Sequence, residues 1–349
     1  MEEMVVEALL FGDRQAQLLA ARQLGQFSSK QRHKIVEKGI VPPLILMLST
    51  NDYEVIEAAL FALLSIAFRS ERLGCAYFIQ ERVWNKILIA KSGAIPVLLD
   101  VLQCENELLV ELGVAALLTL SSCASNKLEI AASGTIPLLL ELLNSQAYNS
   151  MSLQANLDIL SILHNLSTCH QLIPSIVSSG GVATLLGLIS LASETKTEGE
   201  VIVEKAMVLL ENIVSLSRIG LEEAAGTDGA IQCLVEAMEE GSSQCKEDAV
   251  AILLLICESC RERYRGMILR EGAMAELLQL SVDGTRRARD NAKRLLLLLR
   301  DRSHCSPKNK QPKNILLLEH VMRQIEQGVG ERAGMSVALL EEMISKLRT

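Results

Sequence analysis

Apolar residues recur at helical spacing along most of the chain, in short runs broken by glycines and polar links. One phrase heads six of these runs. It reads Gly39-Ile40-Val41-Pro42-Pro43-Leu44, then Gly93-Ala94-Ile95-Pro96-Val97-Leu98 and Gly134-Thr135-Ile136-Pro137-Leu138-Leu139. Looser copies begin at Gly180, Gly229 and Gly272, so the leading glycines lie 54, 41, 46, 49 and 43 residues apart. The glycine suits a sharp turn after a short helix, because it tolerates a left-handed backbone. Pro42, Pro96 and Pro137 fall in the first turn of the next helix, where a missing N–H costs nothing. That helix runs as Val97-Leu98-Leu99-Asp100-Val101-Leu102. A polar link follows, Gln103 to Asn106, and then a longer helix, Glu111 to Ser121.

The pattern of short helix, glycine, helix and longer helix is the three-helix armadillo unit rather than the two-helix HEAT unit, and the period fits both. The expected fold is therefore all-α, a right-handed armadillo superhelical solenoid of six to seven repeats over residues 1–302. Longer helices from Gln17 to Phe27 and from Asp290 to Leu299 bracket it.

The phrases Lys91-Ser92-Gly93-Ala94-Ile95-Pro96 and Ile162-Leu163-His164-Asn165-Leu166-Ser167 resemble the armadillo repeats of plant U-box proteins and their armadillo-only relatives. The likeness covers roughly residues 15–300 and implies a protein-binding array with a link to ubiquitin ligation. The U-box, which recruits a ubiquitin-conjugating enzyme, typically carries a Cys-Pro-Ile segment and a Trp. No such segment occurs in the 349 residues, and repeats begin by residue 15. The ligase activity is therefore not carried over.

The 54-residue interval contains a localisable excess. Joining Arg72 to Asn85 gives Ser70-Glu71-Arg72-Asn85-Lys86-Ile87, which parallels Cys123-Ala124-Ser125-Asn126-Lys127-Leu128 and shortens the interval to 42. Residues 73–84 thus read as a 12-residue insertion that includes Trp84, the only tryptophan. It is either a protruding recognition loop or a splice or gene-model artefact tolerated as a bulge or helix extension. Loop insertions cost little, which favours the second.

Composition narrows the function classes. Aromatics are 3% and apolar residues 49%, so small aliphatic side chains fill the core. No run approaches the length of a membrane span, the Met1-Glu2-Glu3-Met4 start is acidic where a signal peptide is basic, and nine cysteines show no framework. A soluble protein of the cytoplasm, the nucleus or both is expected. Net charge is −8. From Gly284 to Lys313 ten Lys and Arg face two acids, so that segment is +8 and the remainder −16. Nucleic acid is not an expected partner, but the C-terminal end is locally basic.

An armadillo array works through the concave face of its third helices. Nuclear-import receptors of this fold carry a Trp there and an Asn four residues later. Alignment places Leu19, Phe61, Ala115, Ser161, Val208, Ala251 and Arg294 at the first position. The second holds Gln23, Ser65, Thr119, Asn165, Asn212, Leu255 and Leu298. The ladder is mostly absent, which argues against an import receptor. Phe61, Ser65, Thr119, Ser161, Asn165 and Asn212 remain as candidate groove residues, suited to recognising a helix or loop by its side chains. Alternatively, Asn165 and Asn212 only bond neighbouring backbone. Arg286, Arg287, Arg289, Lys293 and Arg294 form a candidate basic patch for an acidic or phosphorylated partner segment, or a solvated terminal face.

Chemistry has no candidates. Cys257-Glu258-Ser259-Cys260 has no second pair and no nearby histidine, and His164, Cys169 and His170 lack an orienting acid or an oxyanion hole. Phosphate-binding and zinc-protease motifs are missing, so no catalytic residue, metal or cofactor is expected. Residues 303–313 read as a linker. Residues 314–349 read as two amphipathic helices that either cap the array or fold into its groove. The sequence reading is a non-catalytic adaptor; a substrate-binding subunit or regulator in ubiquitin ligation comes second, and an import-type carrier third.

Overall fold

The computed structural model describes residues 2–67, 76–144, 151–193 and 199–300, and every regular element among them is helical. Contacts divide the chain into two compact units, Met1–Gly180 and Gly181–Thr349. The first opens with α1 (Glu2–Phe11) and α2 (Arg14–Leu24). A complete repeat follows as α3 (Ser29–Glu37), α4 (Val41–Leu48) and α5 (Tyr53–Ala67). The next is α6 (Ala76–Lys91), α7 (Ala94–Leu102) and α8 (Glu107–Ser121). Then come α9 (Lys127–Ala132), α10 (Thr135–Leu142) and α11 (Leu153–Ser167), with α12 (Ile173–Ser178) closing the unit. The second unit begins with α13 (Gly181–Ser193) and α14 (Gly199–Leu216). Two repeats complete it: α15 (Arg218–Gly226), α16 (Ala230–Glu240) and α17 (Ser243–Ser259), then α18 (Arg261–Arg270), α19 (Met274–Asp283) and α20 (Arg286–Leu299).

Within each unit the third helices lie side by side, α2–α5–α8–α11 in the first and α14–α17–α20 in the second. On α8, Leu109, Val114, Leu117 and Leu120 are all at most 2% exposed. Each such side chain contributes about 1.5–3 kcal/mol by leaving water, so packing rather than helix propensity holds the repeats. All six phrase glycines have positive φ, from 78° to 88°, as the sequence required. At Gly134 (φ 87°) an added Cβ would meet nothing within 4 Å. Backbone conformation alone therefore demands glycine there, against a left-handed penalty of roughly 1–2 kcal/mol for other residues.

Third-helix boundaries differ from the sequence reading by about a turn. α8 starts at Glu107 instead of Glu111, α20 at Arg286 instead of Asp290, and α2 spans Arg14–Leu24 instead of Gln17–Phe27. Polar caps set the true starts. Side-chain oxygens of Asp13, Asn106, Ser152, Ser242 and Thr285 accept the N–H of Ala16, Leu109, Ala155, Cys245 and Ala288, filling orphan donors at five third-helix ends.

Neighbouring repeats are tied by a second recurring contact. Glu111 accepts the Ser152 N–H at 2.8 Å, Glu204 accepts the Ser242 hydroxyl at 2.6 Å, and Glu247 accepts the Thr285 hydroxyl. A carboxylate on one third helix thus engages the cap of the next. Asn126, 2% exposed, donates to the carbonyls of Lys86 and Leu120 at 3.1 and 3.2 Å. Asn85, just after residues 73–84 that the sequence reads as an insertion, makes a similar bond to the Ile66 carbonyl at 3.0 Å. Of those residues, 76–84 continue α6, which has 16 residues where α9 has six. Trp84 at its inner end meets His33 edge-to-face, with ring centroids 6.3 Å apart. Residues 73–75 lie outside the described residues.

At the far end of the second unit, Arg261 donates to the carbonyls of Leu298 and Arg300, and Arg265 donates to that of Leu299 at 2.7 Å. These two side chains satisfy the final carbonyls of α20, which have no partner within the helix. The linker at 303–313 and the helices at 314–349 lie outside the described residues. Among the described residues no single helix is long and apolar enough to cross a membrane.

Candidate functional site

In the first unit the third-helix residues named from sequence divide by chemistry. Leu19 on α2 and Phe61 on α5, at equivalent positions of adjacent helices, are 49% and 51% exposed. Ala115 and Ser161, at the same position of α8 and α11, are half-buried. The face therefore runs from large apolar side chains to small ones. Four residues further along each helix, Ser65 and Asn165 are half-buried, but Thr119 is only 4% exposed. Thr119 lines an apolar recess with Leu63, Ala67, Ile89, Leu98 and Leu120, so its side chain lies in the packing between helices and not on the open face.

The hydroxyls are turned onto their own helices. Ser65 donates to the Ala62 carbonyl at 2.7 Å, Thr119 to Ala115 at 3.0 Å, and Ser161 to Leu157 at 2.7 Å. Asn165 instead bridges helices, donating through Nδ2 to Ser121 Oγ on α8 at 3.0 Å. The amide thus serves a neighbouring side chain rather than backbone. Along the C-terminal edge of the same helices a further pattern repeats. Lys86 donates to Ser122 Oγ at 2.7 Å and, one repeat on, Lys127 donates to Thr168 Oγ1 at 2.5 Å. At the N-terminal edge Arg14 bonds Asp52, and that bond is the main reason the Asp52 carboxyl sits below its ordinary pKa.

In the second unit Val208 and Asn212 on α14 and Leu255 on α17 are half-buried, and Ala251 is 5% exposed. The basic patch resolves into two groups. Arg287 on α20 reaches Glu211 Oε1 on α14 at 2.5 Å, and Glu247 Oε1 and Asp248 Oδ1 on α17 at 3.4 Å each. One guanidinium thereby ties all three third helices. Arg294 pairs with Glu258 on α17 at 2.7 Å. Arg286, Arg289 and Lys293 are exposed and face no carboxylate among the described residues within ion-pair reach. Asp248 is 2% exposed, and burial pushes its carboxyl above the ordinary value of 3.8 despite the bond from Gln244 and the attraction of Arg287.

The acids that hold Arg287 and Arg294 were missed from sequence because they lie 36–76 residues upstream. The available signal was spacing, since most such partners sit about one repeat before the residue they engage. Among the described residues no group of three or more His, Cys, Asp or Glu is placed to hold a metal. Cys257 is buried, which raises its thiol pKa, while Cys260 is exposed.

Residues 28–68, which span α3 to α5, match the model of the Armadillo/beta-catenin-like repeat. Two proteins of Arabidopsis thaliana are similar over the repeat region. U-box domain-containing protein 45 is 31% identical over 157 residues, 44% of this chain and 19% of its own length. U-box domain-containing protein 17 is 34% identical over 150 residues, 43% of this chain and 19% of its own. The chain thus spans about a fifth of the length of these relatives. A crystal structure of an engineered protein shares the fold with a TM-score of 0.57 at 23% identity, covering 74% of this chain and 96% of its own. The geometry of the three-helix units and these similarities agree: the chain folds into armadillo-type three-helix repeats, and these repeats are similar to those of plant U-box proteins.

Proposed function

We propose that the chain is a non-catalytic scaffold that holds a partner polypeptide segment on its third-helix faces. The observation that carries this reading is the half-exposure of Leu19 and Phe61, large apolar side chains in register one repeat apart, on a line that continues to Ser161. Large apolar groups left in register on one face favour a partner with apolar side chains of its own. Armadillo repeats commonly bind protein partners, which agrees with this use of the face. The basic C-terminal end supplies a second surface, for an acidic or phosphorylated segment of such a partner. Residence in the cytoplasm or nucleus belongs to the same proposal.

Affinity purification of the full chain and of two variants tests the reading. Phe61→Asp with Asn165→Ala alters the face of the first unit; Asn212→Ala with Arg294→Glu alters that of the second. At least one pair is expected to lose partners that the wild type retains. Retention of every partner by both variants would end the proposal.

A second reading is favoured by the similarity to U-box proteins, namely substrate binding or regulation in ubiquitin ligation. In either case the purified chain, supplied with ubiquitin, activating enzyme and conjugating enzymes, is expected to form no conjugates. Self-conjugation would show catalytic competence and contradict the scaffold. An import-type carrier ranks third, because the Trp and Asn ladder is mostly missing from the aligned positions.

A further inference from the structure

The five basic residues near the last third helix are not one patch. Successive residues of a helix are rotated by about 100°, so positions i, i+3, i+7 and i+11 share a stripe. On α20 that stripe is Arg286, Arg289, Lys293 and Leu297, with Asp290 beside it. Arg287 and Arg294 lie on another stripe and are held by acids of α14 and α17. The helix packs against α17, α18 and α19 through its buried Ala288, Ala292, Leu295, Leu296 and Leu299. The three cations are exposed, and Leu297 is 42% exposed. None of Arg286, Arg289 or Lys293 meets a carboxylate among the described residues. Among the described residues, local neutralisation therefore accounts for two of the five charges and leaves three.

We propose that this stripe docks a carboxylate-rich, leucine-bearing segment of a partner protein. The proposal rests on the scaffold reading but not on the third-helix groove. Charge and spacing identify the occupant. The cations are strung about one per turn over roughly 10 Å of helix, at 1.5 Å rise per residue. They complement a row of single carboxylates better than one phosphate dianion, which is best held by donors converging on a point. Asp290 within the row also opposes a concentrated negative charge. Leu297 continues the stripe and offers an apolar contact beyond the last cation. The whole chain is −8 and, outside Gly284–Lys313, −16, so an extended polyanion or an anionic membrane meets repulsion beyond this end. A short acidic segment sees mainly the stripe, because charges more than about 10 Å away are screened at ordinary salt.

The test uses the full chain and a fluorescein-labelled twelve-residue peptide of three Glu-Glu-Asp-Leu units, read by fluorescence anisotropy. A phosphoserine peptide of equal net charge, phosphatidylserine vesicles and single-stranded RNA are run alongside. The acidic peptide is expected to bind most tightly, and added salt to weaken it. Arg286→Ala with Arg289→Ala and Lys293→Ala should weaken it about tenfold, each exposed pair being worth about a factor of two. Leu297→Ser should weaken it further, while Asn165→Ala with Asn212→Ala leaves it unchanged. All four altered stripe residues are exposed, and circular dichroism confirms that the variants remain folded. Absence of binding by the wild type, unchanged binding by the triple variant, equal loss in the groove variant, or preference for the phosphopeptide, vesicles or RNA would each overturn the proposal. Persistent peptide binding alongside a failed groove experiment would remove the groove reading and leave the stripe standing.

Discussion

Arg287→Ala is expected to lower the stability of the second unit by about 2 kcal/mol at neutral pH, measured by chemical denaturation. The substitution leaves Glu211, Glu247 and Asp248 on adjacent helices without the cation that joins them, and these side chains are 18%, 13% and 2% exposed. Removing one partner of a fully buried pair costs more, but the Arg287 side chain is 48% exposed, so solvent screens part of the loss. Acid should shrink the defect. Burial already holds the Asp248 carboxyl above 3.8, and loss of the Arg287 attraction raises it further. A carboxyl with a raised folded pKa contributes stability that is present below its unfolded value and is lost as pH rises through the folded value. The variant therefore loses most at pH 7 and regains stability relative to wild type as pH falls through the raised Asp248 pKa. In an Asp248→Asn background the cost of Arg287→Ala should be smaller and should change less with pH, because only the Glu211 and Glu247 pairings remain. A defect of equal size at neutral and at acidic pH would remove Asp248 from the explanation.

Asn126→Ala should cost the first unit a similar amount, about 2 kcal/mol by thermal or chemical unfolding. One buried amide serves two carbonyls, Lys86 on α6 and Leu120 at the end of α8, and alanine leaves both without that donor. Asn126→Asp should be worse, because it sets a carboxylate against two carbonyl oxygens with no donor between them. Asn85→Ala should cost less, since Asn85 is only half-buried and makes one such bond. If Asn126→Ala unfolds like wild type, the amide is not the tie between these helices.

Backbone geometry was the part of this molecule most legible in its sequence. The six phrase glycines announce positive φ because only glycine adopts it without strain, and each does adopt it. The match between Asn85-Lys86 and Asn126-Lys127 paired the two asparagines, and the structure gives both a bond to the end of the preceding third helix. Helix starts were less legible. Hydrophobic periodicity locates the buried stripe of α8 and α20, but Asn106 and Thr285 fix where those helices begin.

The candidate faces were legible only as positions. Phe61 and Ser161 lie on the open side of their helices, whereas Thr119, at the position equivalent to Ser65 and Asn165, is packed inside. Helical phase cannot distinguish these cases, because exposure depends on the side chains of neighbouring helices. Charge was misleading for the same reason. Arg287 looks unpaired in sequence, where Asp290 is the nearest acid. Folding instead brings it Glu211, Glu247 and Asp248 from one and two third helices earlier.

The central claim is that partners bind along the third helices. Site-specific photo-cross-linking in cells tests it most directly, with the cross-linking amino acid placed singly at Phe61, Ser161 or Val208, and at Leu46 and Leu128 on other helices. Leu46 and Leu128 are 70% and 52% exposed, so they are as accessible as the groove positions. The account predicts cross-links to a common partner polypeptide from third-helix positions and none to that partner from Leu46 or Leu128. Cross-links to it from Leu46 or Leu128 but from none of the third-helix positions would contradict the account.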